Sequence, residues 1–144
     1  MDERIENWNT FVKDWFPFAD RFLDIAIQLA KGMNPMPNEA ICFYCHEAVQ
    51  NYLMAYLAHR TGEKPAYIDD IPQLIEMCAV FDGRFRDLEA IGQVLSRYSD
   101  YSNYPIGLHF STEDAEKALR YAAEIKDFPP LAELREKLEQ EDAP

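Results

Sequence analysis

NEAICFYCHEAVQNYLMAYLAHR, residues 38–60, is the stretch whose reading decides the fold. Its apolar positions Ile41, Cys45, Ala48, Val49, Tyr52, Leu53 and Tyr56 recur at helical spacing and cover a wide face, so the segment reads as a helix buried on several sides. Such a helix belongs at the centre of a bundle. Asn38 is placed to cap its start.

Working outward, the pattern stays helical. Upstream, Trp8, Phe11, Trp15 and Phe18, continued by Phe22, Ala26 and Leu29, predict an amphipathic helix over residues 4–31. A break or restart is expected at Pro17, with Asp14 as the cap of the restart and Gly32 as the end. Whether this helix joins the bundle or an interface turns on Trp8 and Phe11, whose exposure would favour an interface. Downstream, Asp69 or Asp70 caps a short third helix with Pro72 in its first turn. Gly83 separates it from a fourth, residues 85–103, with Leu88, Ile91, Leu95 and Tyr98 inward and Pro105 and Gly107 at its end. Ser111-Thr112-Glu113-Asp114 opens a fifth helix, over residues 115–128, which Pro129-Pro130 stops. Leu131, Leu134 and Leu138 then line one side of a short polar helix.

No segment alternates apolar and polar residues over strand length. The expected class is all-α, an up-and-down bundle of about five helices. Residues 1–130 are read as one helical domain with an N-terminal helical extension, and residues 131–144 as an acidic, partly helical tail.

At 144 residues, 48% of them hydrophobic, the chain can bury a self-sufficient core. No apolar run is long enough to span a membrane, and the N-terminus MDERIENWN does not resemble a secretory signal, so a cytoplasmic location is expected. Three cysteines, Cys42, Cys45 and Cys78, do not make a disulfide framework and are expected to stay reduced. The net charge of −12 argues against a broad phosphate-binding surface, since nucleic-acid affinity rests on clustered Lys and Arg.

Candidate chemistry is sparse. Cys42-Phe43-Tyr44-Cys45-His46 matches the C-x-x-C-H string of covalent haem attachment, but that chemistry belongs to exported proteins and the helix pattern accounts for Cys45 as a core residue. A structural zinc site needs four ligands, and Cys42, Cys45 and His46 lack an obvious fourth beyond Cys78. No metal and no cofactor are expected. His46 and Glu47 suit general acid–base work, although a histidine bonded to a neighbouring helix is the commoner case. His59 and His109 fall near helix ends without a catalytic companion.

The densest cluster is LSRYSDYSNYP, residues 95–105. Arg97, Tyr101 and Tyr104 share one helix face and Tyr98 and Ser102 an adjoining one. Arg97 suits a phosphate or carboxylate with tyrosine hydroxyls as further donors; equally, the tyrosines suit packing against the second helix with Arg97 paired to an acid. There is no glycine-rich phosphate loop, zinc-protease helix or Ser-His-Asp ordering.

Three segments taken in order resemble the HEPN family of small helical-bundle proteins. WFPFADRFL, residues 15–23, resembles its opening helix. AICFYCHEAVQNYL, residues 40–53, resembles its second helix, usually of the form CFHCQQAAEKxLKA. Residues 95–105, with STEDAEKAL from Ser111, resemble its LTxYxxxxRYP segment and final helix. The resemblance implies a helical bundle, a homodimer, and pairing with a small nucleotidyltransferase-like protein in a toxin–antitoxin type module. Its ribonuclease members carry an arginine followed roughly four to six residues later by histidine. Here Arg97 is followed at those distances by Tyr101, Ser102 and Asn103. Other departures remove positive or proton-shuttling groups: Asn51 and Met54 stand where relatives tend to carry lysine, Asn103 where they carry arginine, and Asp69-Asp70 where they carry His-Asp.

Three functions follow. The first is a binding subunit holding a nucleotide, with Tyr98, Tyr101, Asn103, Tyr104, His46, Glu47 and Asp70 as ligand-binding residues. The second is a metal-independent ribonuclease in which Arg97 stabilises the phosphorane and His46 or Tyr101 handles protons on an RNA ligand. The third is a structural helical protein whose site has decayed. The binding subunit is the favoured expectation.

Overall fold

The computed structural model describes residues 3–98 and 110–141, with side chains from Val12 onward. The side chains of Trp8 and Phe11, and the whole of Tyr101, Ser102, Asn103, Tyr104, Pro105, Gly107 and His109, therefore lie outside what is described. Among the described residues the regular structure is all helical: α1 (Glu3–Gly32), α2 (Asn38–Thr61), α3 (Ile71–Phe81), α4 (Glu89–Leu95), α5 (Thr112–Lys126) and α6 (Pro129–Glu141). The all-α bundle expected from the sequence is what the chain forms.

The centre is α2, buried from Ile41 to Ala58 on nearly every side. Gly62 ends it in the left-handed region, φ 71°, where its N–H reaches the Ala58 carbonyl at 2.8 Å. Asn38 does not cap the start. Its amide donates instead to the Phe110 carbonyl at 3.1 Å and the Thr112 hydroxyl at 3.4 Å, while the Phe110 N–H donates to Glu39 at 3.3 Å. These bonds tie the first turn of α2 to that of α5.

α1 runs unbroken through Pro17. A proline inside a helix costs about 3 kcal/mol, chiefly through a lost hydrogen bond and a clash with the preceding turn. That cost is offset by the continuous stripe Val12, Phe16, Ala19, Leu23 and Ala26, all buried, while Pro17 itself is exposed. The buried stripe lies beside the aromatic one: Trp15, Phe22 and Leu29 are half-buried flanks and Phe18 is exposed. Ala19 and Ala26 in the contact line let α1 approach α2 closely. Trp15 is kept at the border by a bond from its indole N–H to Asn51 Oδ1, 2.9 Å.

Asp70 caps α3 by accepting the Gln73 N–H at 3.1 Å, and Pro72 occupies the first turn. Asp82 caps a 3-10 turn, Gly83–Leu88, which leads into α4 and a second such turn, Ser96–Tyr98. The expected long fourth helix is thus three short pieces over its described part. Within α4, Gly92 packs closely on α3, where a Cβ would stand 2.5 Å from Ile75 Cδ1.

α5 opens on a capping box: Asp114 N–H to Ser111 Oγ at 3.0 Å and Ser111 N–H to Asp114 Oδ2 at 2.9 Å. It lays Ala115, Ala118, Ala122 and Ile125 on α2. Pro129-Pro130 then begins a helix as well as ending one, since proline fits a first turn. Leu131, Leu134 and Leu138 of α6 are buried, and Arg135 makes a fork to Asp20 at 2.8 and 3.0 Å. The buried Tyr52 hydroxyl donates to the same carboxylate, and Arg135 also lies 5.0 Å from the Phe16 ring centre. The segment read as an acidic tail is therefore helical and docked through Glu141.

Two outcomes follow from this packing. Gly92→Ala should lower stability by about 1–2 kcal/mol in urea unfolding, the helix-propensity gain being outweighed by the displaced Ile75 side chain, with Ile75→Val restoring part of the loss. Burial pushes the Asp20 carboxyl up, but hydrogen bonds from Arg135 and Tyr52, with the charges of Arg135 and Lys126, bring it net below its ordinary value of 3.8. A carboxyl depressed on folding stabilises above its unfolded value and ceases to do so as pH falls through the folded one. Arg135→Gln should cost about 1–3 kcal/mol at pH 7 and flatten the loss of stability below about pH 4, read by thermal unfolding across pH 2–7.

Candidate functional site

Of the residues singled out in the sequence, His46 lies beside Glu47 and against the Asp69 backbone carbonyl where α2 passes the entry to α3. Residues 46 and 50 lie one helical turn apart, so their side chains project side by side. His46 Nε2 lies 3.2 Å from the Asp69 carbonyl oxygen and Gln50 donates to the Ile68 carbonyl at 2.8 Å. The two grip the extended segment ahead of α3. His46 is fully buried and Gln50 nearly so, which makes the paired bonds a requirement of burial.

The carbonyl partner sets the histidine tautomer. A carbonyl oxygen only accepts, so Nε2 carries the proton and donates it. Nδ1 is buried without a hydrogen-bond partner and lies 3.5 Å from Glu47 Oε1. Glu47 is half-buried, its own backbone carbonyl accepting from Asn51 Nδ2 at 2.7 Å, and Asn51 in turn receives the Trp15 indole. Asp70 is exposed and committed to the α3 cap.

The arginine–tyrosine cluster divides. Arg97 is exposed, whereas Tyr98 is buried with its ring edge-on to Phe110, centroids 4.9 Å apart. Burial first, then the neighbouring Cys42 and Asp114, push the Tyr98 phenol up to about 12, so it stays protonated and acts at neutral pH only as a neutral donor or acceptor. Tyr101, Asn103 and Tyr104 fall outside the described residues.

Cys42, Cys45 and Cys78 are buried free thiols, each raised by burial, and Cys78 Sγ approaches the Leu53 carbonyl at 3.7 Å. Among the described residues no three His, Cys, Asp or Glu side chains are grouped so as to hold a metal ion, and no helix is long and apolar enough to cross a membrane.

One feature escaped the sequence reading. An open apolar groove of about 640 Å³ lies between α1 and the segment after α2, lined by Trp15, Phe18, Met54, Pro65 and Tyr67, with Asp14 and Lys64 at its edge. Phe18 is 46% exposed and Tyr67 76%, unusual for aromatic side chains with a core available. The signal was present in the aromatic stripe of α1, which is too wide for one contact line with α2.

A family model for the HEPN domain matches residues 12–132. The chain belongs to the HEPN family. No curated protein and no solved structure gives a match. The HEPN match begins at Val12, the first residue of α1 whose burial is described, and ends in α6 one residue past Leu131, so it takes in α2 and the helices packed on it.

His46 in this HEPN chain is a tether on the geometry just described. His46→Ala should lose about 2–3 kcal/mol in urea unfolding, from the cavity and the stranded Asp69 carbonyl, with His46→Gln retaining more of the stability. An alanine variant as stable as the parent would exclude that role.

Proposed function

We propose that this HEPN protein is a dimeric binding subunit that pairs with a nucleotidyltransferase-like protein in a toxin–antitoxin type module and takes a nucleotide near the Arg97 end of the fourth helical segment. The observation that carries the reading is the division of labour among its side chains. Polar groups suited to chemistry are spent on structure: His46 and Gln50 on the chain entering α3, Asp70 on a cap, Asp20, Tyr52 and Arg135 on one another. The apolar side chains Phe18 and Tyr67 are left to solvent around a groove. Aromatic anchors in an open groove are the usual energetic centre of a protein interface.

The partner's chemistry follows from the charge. With a net charge of −12, this chain associates best with a protein that offers an apolar projection for the groove inside a basic rim. The ribonuclease reading is weakened by the same facts. Arg97 has no histidine at the following family positions, and His46 is enclosed with Nε2 occupied.

Co-expression with the products of adjacent genes, followed by size-exclusion chromatography with light scattering, should yield a defined hetero-complex. Phe18→Glu and Tyr67→Ser, both at exposed positions, should weaken it at least tenfold while leaving thermal unfolding of the isolated protein unchanged. A protein that stays alone beside its neighbours' products, or a complex indifferent to both substitutions, would count against this reading. RNA cleavage by the isolated protein that disappears in Arg97→Ala would put the ribonuclease in its place.

A further inference from the structure

A second cleft, of about 250 Å³, opens where the end of α2 meets the Asp82–Arg84 turn and α6. Its lining includes His59, Arg60, Arg84 and Lys137 together with Asp82 and Glu133, over a floor of Tyr56, Pro130 and Leu134. The lining carries three permanent cations against two carboxylates, with the Glu141 charge also felt at His59, on a chain whose net charge is −12.

The carboxylates are already spoken for. Arg84 donates to Asp82 Oδ1 and Oδ2 at 3.1 and 2.7 Å and to Glu133 Oε1 and Oε2 at 3.1 and 2.7 Å, so all four oxygens accept from one guanidinium. Arg60 and Lys137 are left without a carboxylate partner among the described residues. Arg60 is nevertheless held in place, its guanidinium 5.3 Å from the Phe81 ring centre and 6.0 Å from that of Tyr56. Stacking on ring faces leaves the in-plane N–H donors of an arginine available. His59 reports the local field: burial, then the Lys137 charge, hold its imidazole below the usual range, with Arg60 acting in the same sense and Glu141 opposing.

Arg60 and His59 end α2 and also serve to offset the negative pole of that helix. Lys137 has no such duty, since it precedes the last turn of α6. We propose that this cleft binds the phosphate of a small phosphorylated ligand, with Arg60 and Lys137 as its charged contacts and His59 as a further donor. A tetrahedral dianion matches donors arriving from two helices and neutralises more than one cation, which a carboxylate does less completely. The site is independent of the groove and of any protein partner.

The test is an amide NMR titration of the full chain with inorganic phosphate at pH 7 and low ionic strength. Saturable shifts centred on His59, Arg60 and Lys137 are expected, with binding weakened at least tenfold in the double variant Arg60→Gln, Lys137→Gln. Lys31→Gln, at an exposed position on another helix, should bind as the parent does. Absence of saturation, shifts retained in the double variant, or equal weakening by Lys31→Gln would overturn the proposal. Titration with glycerol 3-phosphate separates the sources. Tighter binding than inorganic phosphate identifies an organic monoester resting on Tyr56 and Leu134, and binding no tighter identifies free phosphate; either result upholds phosphate recognition.

Discussion

Everything else in this bundle answers to the burial of α2. A helix enclosed on nearly every side has no solvent to satisfy its polar side chains, so each one it carries must find a partner on a neighbouring element. Gln50 and His46 find theirs on the carbonyls ahead of α3, Tyr52 on Asp20 of α1, and Asn38 on the start of α5. The central helix thus dictates where three other elements begin or pass, through hydrogen bonds that apolar packing alone would not specify.

The same constraint shapes what is left for function. Side chains that look chemical in the sequence are in part drawn inward as fasteners, His46, Gln50 and Tyr52 among them, while exposed aromatics border one groove and cations line one cleft. In a chain so acidic overall, Arg84 engages both Asp82 and Glu133 and offsets one of their two charges, and Arg60 and Lys137 supply the positive surplus of the cleft. The two surfaces lie on different combinations of elements, so a change in one leaves the other's lining residues untouched.

The fold was legible because its strongest signals are local and redundant. The apolar positions of residues 41–56, the Asp70-Ile71-Pro72 entry and the Ser111–Asp114 box each state a helix or its start in a few adjacent residues. Pro17 was misread because the intrinsic cost of proline is visible in sequence, whereas the Val12-to-Ala26 contact that outweighs it depends on a partner helix. Asn38 was misread for a related reason, its amide being drawn to Phe110, seventy-two residues away. The candidate site was legible only in part. His46 lies against Glu47 and the Asp69 backbone carbonyl, and Tyr98 is buried as its spacing predicts, but the enclosure of His46 is a tertiary fact. The cleft at His59 draws its members from α2, the turn after α3 and α6, and no spacing rule joins them.

The Asp20 network has a consequence for the order in which this protein is made. Asp20 and Tyr52 leave the ribosome early, yet the guanidinium that balances the Asp20 carboxylate belongs to Arg135 of α6, 115 residues after Asp20. Until that last helix emerges, the nascent bundle holds a half-sheltered negative charge between α1 and α2 and an uncovered apolar strip where Leu131, Leu134 and Leu138 will lie. Closure of the domain therefore waits for α6. A chain cut before Pro129 has first helices that can pair but a core left open where Leu131, Leu134 and Leu138 would lie.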